Sequence, residues 1–176
     1  DGSYDYLEII NNGLFDFETG NFTVEFWMNP SGFVSEVYNF FSGSWQFGYV
    51  TNESGYFYMY NHNAASIYAF DQVPLTFGTW YHVAYVRSGN TISCFVNGSF
   101  SGSVEYTESI TFGATVCVGI ARDSTPNSCM YGYIDEVRIT KGIARYTSNF
   151  SVPTHEFGVG EGGSAGKIRF LAIEQP

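Results

Sequence analysis

The chain has 176 residues, 44% of them hydrophobic and only 14% charged. That is enough apolar material for one domain with a real core, and it excludes a disordered segment. A net charge of −10, with only seven scattered Lys and Arg, leaves a nucleic-acid binder or a protein bound to an anionic bilayer without its cations.

Aromatic residues make up 19% of the chain and favour strands, because flat rings pack well on a pleated surface. No apolar run approaches the roughly 18 residues that cross a bilayer. The opening DGSYDYLEI shows no basic region followed by an apolar stretch, so no signal peptide is visible. The first strong strand signal is FTVEFWM (22–28). It places Phe22, Val24, Phe26 and Met28 on one face and Thr23, Glu25 and Trp27 on the other. Asn29-Pro30 ends it. SWQFGYV, GYFYMYN and ASIYAF follow, separated by the polar turn-rich spacers TNESG and NHNA.

In GTWYHVAYVRSGNTISCFVNGSFSGS (78–103), Trp80–Arg87 and Thr91–Val96 flank Ser88-Gly89-Asn90. Asn97-Gly98 is a hairpin signal, since both residues tolerate positive φ. Tyr81, Val83 and Tyr85 point one way from the first of these strands, and Trp80, Ala84 and Val86 the other. Such a strand is either covered on both sides or carries an aromatic outer surface. ATVCVGIA and MYGYIDEVRIT are expected to pair with each other around RDSTPNS (122–128).

Three cysteines, Cys94, Cys117 and Cys129, make an odd count and exclude a dense disulfide framework. Cys117 and Cys129 could bridge across the expected hairpin, but free thiols packed as small core residues are the expectation. Residues 158–166, GVGEGGSAG, carry five glycines and read as a flexible linker. Lys167–Ile173 (KIRFLAI) alternates again and is expected to be a strand in search of a sheet edge. An extended nine-residue linker reaches roughly 30 Å, far enough to place that strand on this sheet or on a neighbouring copy. The organisation is therefore one domain over 1–157, a linker over 158–166 and a terminal strand segment over 167–176. With many short strands and no apolar 3.6 period, the fold class is all-β, a two-sheet antiparallel β-sandwich or jelly roll.

Three stretches together resemble a known family: DYLEI…FDFETGNFTVEFWMNP, GTWYHVAYVRSGNTISCFVNG and GYIDEVRITKGIARYTSNFSVP. They are similar to the laminin-G-like, concanavalin A-like jelly roll over roughly residues 1–154. The third stretch resembles the versions repeated in tail, fibre and other virion proteins of bacteriophages. The first two are shared with pentraxins and carbohydrate-binding domains. The resemblance implies a curved sandwich used for adhesion, glycan binding or particle architecture, on a virion or outside the cell. Its partners would be other copies, other proteins of an assembly, or cell-surface glycans. Such modules usually have a strand before the segment matching DGSYDYLEI, and this sequence starts there.

The resemblance also brings candidate chemistry. Some hydrolases of this sandwich class carry paired carboxylates on one strand face. Asp135 and Glu136 are adjacent, so a regular strand would send them to opposite faces, and Asp135 would share parity with Val137 and Ile139. No catalytic residue is assigned and the chain is not expected to be an enzyme. Related modules hold calcium in rim loops; here the loop 122–128 offers only Asp123 and Asn127, so no cofactor is expected, with calcium at those two residues the one metal possibility. His62, His82 and His155 share no metal-ligand spacing, and His82 reads as a satisfied strand histidine. Glycosylation sequons stand at Asn21, Asn52, Asn97 and Asn149 and matter only for a secreted eukaryotic protein. The best binding feature is Tyr56, Tyr58 and Tyr60 with Asn61 and Asn63, whose rings could stack on sugars or meet a protein, or simply cover a sheet face.

Overall fold

A computed structural model describes residues 6–32, 37–51, 55–120, 131–155 and 157. These residues form two antiparallel sheets and no helix. The first sheet has the order β1 (Leu7–Ile10), β10 (Thr115–Val118), β3 (Val37–Ser42), β4 (Trp45–Val50), β5 (Tyr56–Asn61), β6 (Ser66–Gln72). The second runs β11 (Gly132–Lys141), β2 (Phe22–Pro30), β7 (Tyr81–Ser88), β8 (Thr91–Val96), β9 (Ser99–Glu105). The two-sheet sandwich expected from the spacing is what forms.

The core between the sheets is built mainly from rings. Phe22, Val24, Phe26 and Met28 point into it, as the alternation in FTVEFWM requires, opposite Phe40, Phe47 and Phe57 of the other sheet. Phe17 stacks on Phe22 at 4.3 Å, and Phe47 meets Tyr85 edge-on at 4.9 Å. Offset and edge-on pairs add roughly 0.5–1.5 kcal/mol each beyond the area they bury. The buried Tyr85 hydroxyl donates across the sandwich to the Gly48 carbonyl at 3.0 Å. Arg87 is also buried. Its guanidinium is absorbed by the carbonyls of Gly89, Glu18, Glu108 and Tyr106, at 2.9–3.0 Å.

Local turn chemistry behaves as expected. Asn97 and Gly98 take φ of 50° and 76° and close the β8–β9 hairpin. Two expectations fail. β10 and β11 do not pair: β10 lies between β1 and β3, and β11 pairs β2 in the other sheet. β10 and β11 thus lie in different sheets and form no hairpin with each other. Cys117 is buried on β10, Cys94 is buried on β8 with its thiol pushed up by burial, and Cys129 lies outside the described residues. The second failure is parity in β11. A bulge between Asp135 and Arg138, with Glu136 at φ 49°, resets the alternation. Asp135 therefore sits on the outer face opposite Trp27, while Val137 and Ile139 turn into the core. The strand over Lys167–Ile173 lies outside the described residues.

The outer face of the five-stranded sheet is partly roofed. After β11 the chain folds back over it as a strap, residues 143–155 and Phe157. Ala144, Tyr146 and Phe150 pack on Ala84, Val86 and Phe95 to make a second small core. Thr23 Oγ1 donates to the Ile143 carbonyl and accepts from the Arg145 amide, both at 3.0 Å, pinning the start of the strap. The Phe150 amide donates to the Gly98 carbonyl at 2.9 Å, pinning its middle to the β8–β9 turn.

Candidate functional site

The tyrosine stripe of β5 does face outward, since Phe57 and Met59 are in the core. It is not an open platform. Tyr58 is only 2% exposed, and its hydroxyl donates to Asn39 Oδ1 at 2.8 Å. In the register Asn39 opposes Gly48 and Gly48 opposes Tyr58. The side-chain-free Gly48 lets the ring lie across β4 and reach Asn39, and a glycine inside a strand is the one sequence signal for such a close approach. Tyr56 and Tyr60 are half-buried. Asn61 takes the opposite parity and caps the β5–β6 turn, accepting from the amides of Asn63 and Ala64 at 2.9 and 3.2 Å. Asn63 is exposed on that turn. Tyr58 and Asn61 thus make bonds within the sheet and its turn, while Tyr56, Tyr60 and Asn63 keep surface exposed.

The other predicted positions divide similarly. Asp123, Asn127 and Asn52 lie outside the described residues. Among the described residues, no three His, Cys, Asp or Glu side chains converge as a metal would need. Asn21, Asn97 and Asn149 each spend Oδ1 on a backbone amide, those of Gly89, His82 and Phe100, all at 2.9 Å. Asp135 Oδ1 accepts from the Glu136 amide at 2.7 Å, and Glu136 Oε2 from the Phe157 amide at 2.6 Å. Both carboxylates of the bulge are therefore engaged with backbone.

The strongest electrostatic cluster is one the sequence reading passed over. Glu25, on the outer face of β2, is fully buried under the strap. Arg138 Nε donates to its Oε1 at 2.7 Å, and the Tyr146 hydroxyl donates to its Oε2 at 2.8 Å. His82 Nε2 lies 3.2 Å from Oε2, and Arg145 Nε completes the shell at 3.8 Å. Burial alone would push the Glu25 carboxyl up. The hydrogen bonds and charges of His82 and Arg138 outweigh that and hold it below its ordinary value. The Phe157 ring covers the Arg138 guanidinium at 3.9 Å. Glu25, His82 and Arg138 are sealed from solvent, with Tyr146 and Arg145 at the edge of the cluster, and the cluster fastens the strap.

Beyond the reach of the strap, no described residue covers the same sheet face. Tyr133 of β11 opposes Asn29 of β2, and Trp80 immediately precedes Tyr81, which opposes Met28. Tyr133 and Trp80 therefore flank Asn29 on the outer face. They are 37% and 43% exposed, with ring centroids 6.4 Å apart and planes tilted by 40°. Trp27, half-buried one step along the strand, packs edge-on against His82 and continues the aromatic surface towards the strap. Tyr131 is exposed beside them, close against the Gly32 backbone. Exposed Phe77 comes from the loop whose Gly78 amide donates to the Pro30 carbonyl at 2.8 Å. Exposed rings gathered on one sheet face are the usual signature of an interaction surface, although Tyr6 and Phe100 are exposed elsewhere on the molecule. The sequence signal of this surface was the outward parity of Trp80 and Trp27.

The comparisons agree with this architecture. The model of the concanavalin A-like lectin/glucanases superfamily, laminin G type, matches residues 1–144. No curated protein matches the sequence. Among solved structures, the heptameric SAP-like pentraxin from Limulus polyphemus superposes with a TM-score of 0.62 at 17% identity, covering 82% of this chain and 73% of that one. Domain 4 of an extracellular arabinanase from Geobacillus stearothermophilus, solved with arabinotriose, gives 0.56 at 19% identity over 72% of this chain and 63% of that one. Mouse laminin alpha1 domains LG4-5 give 0.55 at 14% identity, over 88% of this chain and 46% of theirs. This chain spans less than two thirds of the arabinanase domain and less than half of the laminin pair. Likeness at such identities is a likeness of fold. The family match over residues 1–144 leads to one conclusion: the chain belongs to the concanavalin A-like lectin/glucanase superfamily, as a laminin-G-type domain.

Proposed function

We propose that this domain is a non-catalytic glycan-binding module that acts outside the cell or on the surface of an assembly such as a virion. The observation that carries the reading is the exposed pair Trp80 and Tyr133 over Asn29, the open aromatic surface of a fold shared with a domain solved in complex with arabinotriose. A sugar ring has an apolar C–H face that packs on an aromatic ring and a rim of hydroxyls that needs polar partners. A tilted ring pair beside an amide offers both. Engagement of the Asp135 and Glu136 carboxylates with backbone supports binding without hydrolysis. Display on a bacteriophage particle is supported by the resemblance of GYIDEVRITKGIARYTSNFSVP to virion modules. Calcium held by Asp123 and Asn127 belongs to this proposal only if chelation weakens binding.

A glycan array probed with the wild-type chain and with Trp80→Ala tests the function. Binding by the wild type that Trp80→Ala abolishes is the expected result. An array without any hit, together with loss of a protein contact in Trp80→Ala, would replace the lectin reading with a protein-interaction module.

A further inference from the structure

The identity of the ligand can be narrowed, taking the glycan-binding reading of the Trp80–Tyr133 site as the starting point. β11, which bears Tyr133, and β7, which Trp80 directly precedes, flank β2 and so lie roughly 9–10 Å apart. The ring centroids are only 6.4 Å apart, so the two rings lean together over Asn29. Beneath them Asn29 Oδ1 is buried and accepts no hydrogen bond from any described residue. A buried amide oxygen without a donor is uncommon in native structures, because burial strips its water without replacement. Turning the amide over would put Nδ2 in the same place and leave the same unpartnered polar atom. A hydroxyl both donates and accepts, so it satisfies either orientation.

Charge then selects among hydroxyl-bearing ligands. Among the described residues every cation is committed elsewhere. Arg87 is taken up by four backbone carbonyls, Arg138 and Arg145 face Glu25, and Lys141 donates to the Gly13 carbonyl at the far end of β11. The nearest ionisable group to the ring pair along β11 is the carboxylate Asp135, on the same outer face opposite Trp27. The chain as a whole carries −10. A sialylated or sulfated glycan would meet like charge here and find no described guanidinium or ammonium.

We propose that the site takes an uncharged oligosaccharide, and that one sugar hydroxyl, entering between the Trp80 and Tyr133 rings, completes the hydrogen bonding of Asn29. Asn29 is then a specificity-determining residue whose polar atom serves the ligand and not the fold. The planes tilted by 40° suit adjacent units of a twisted chain better than those of a flat ribbon, which would present coplanar faces to both rings.

The test is calorimetric titration of the full chain with arabinotriose, maltotriose and cellotriose, against sialyllactose and a heparin hexasaccharide, at low and high salt. Wild type is expected to bind at least one neutral trisaccharide with salt-independent affinity and to ignore the acidic probes. Asn29→Ala should weaken that binding by roughly two- to tenfold, the size of one hydrogen bond, and leave the melting temperature unchanged, because no bond within the fold is lost. Binding restricted to the acidic probes and weakened by salt would overturn the neutral-ligand inference while leaving the lectin function standing. Neutral binding indifferent to Asn29→Ala would overturn the role of Asn29. No binding to any probe, with an empty glycan array, would remove both the inference and the function on which it rests.

Discussion

The two ends of one sheet face make opposite use of the same strands. At the covered end, β2, β7 and β11 contribute Glu25, His82 and Arg138, and the strap seals them with Tyr146, Phe150 and Phe157. At the open end β2, β11 and the residue just before β7 contribute Asn29, Tyr133 and Trp80, the two rings exposed over the buried, unpartnered Asn29 oxygen. Charge sits where water is excluded, and the exposed ring pair sits where water is admitted. The difference teaches that ionisable residues alone do not locate a site. At the covered end the ionisable groups bond to one another and serve stability.

The sharpest way to break the comparison is at the covered end. Glu25→Gln leaves Arg138 buried without its countercharge. Losing one partner of a buried pair costs about 3–5 kcal/mol, read as a shift in the urea midpoint at constant slope. Affinity for a glycan should not change in the fraction that stays folded. Gly98→Ala comes next. Its φ of 76° suits glycine, and a Cβ there would run into the Phe150 carbonyl. About 1–3 kcal/mol should be lost, with hydrogen exchange accelerating first in the strap; uniform acceleration would mean that the strap has no stability of its own to lose.

Acid is a milder probe of the same end. Because Glu25 titrates below its ordinary value of 4.5 in the folded state, the unfolded chain binds the proton more readily. Glu25 therefore contributes stability above pH 4.5 that is lost as the pH falls through the lower folded value. Stability against pH should decline in that window for wild type, and less steeply for Glu25→Gln. The smallest expected stability change is at the open end. Trp80→Ala should move the folding free energy by no more than about 0.5 kcal/mol, as exposed substitutions do, while removing ligand binding. A large loss of melting temperature would mean that Trp80 is part of the core and the two ends are alike.

Much of the fold was legible because its signals are local. The period of two in FTVEFWM placed Phe22, Val24, Phe26 and Met28 in the core, and Asn97-Gly98 made its turn. The candidate site was less legible. Tyr56, Tyr58 and Tyr60 share a face as their spacing demands, but Tyr58 is buried against Asn39 across a bare Gly48. That contact joins residues on strands that are not consecutive in the sheet, and a single-strand pattern carries no record of it. Glu25 read as an ordinary outward residue, because the strap that buries it comes more than a hundred residues later.

The sequence by itself determined the fold class, the inward face of most strands, the hairpin turns and the shortage of cations. These follow from side-chain alternation, backbone conformational preference and simple charge. Only the tertiary structure decided that β10 and β11 lie in different sheets, that a bulge at Glu136 turns Asp135 outward, and which end of the five-stranded face is roofed. Each of these depends on pairing between segments far apart in the chain, where register and coverage are set by what packs globally and not by the preferences of neighbouring residues. The proposed binding surface is what remained uncovered, among the described residues, once that packing was complete.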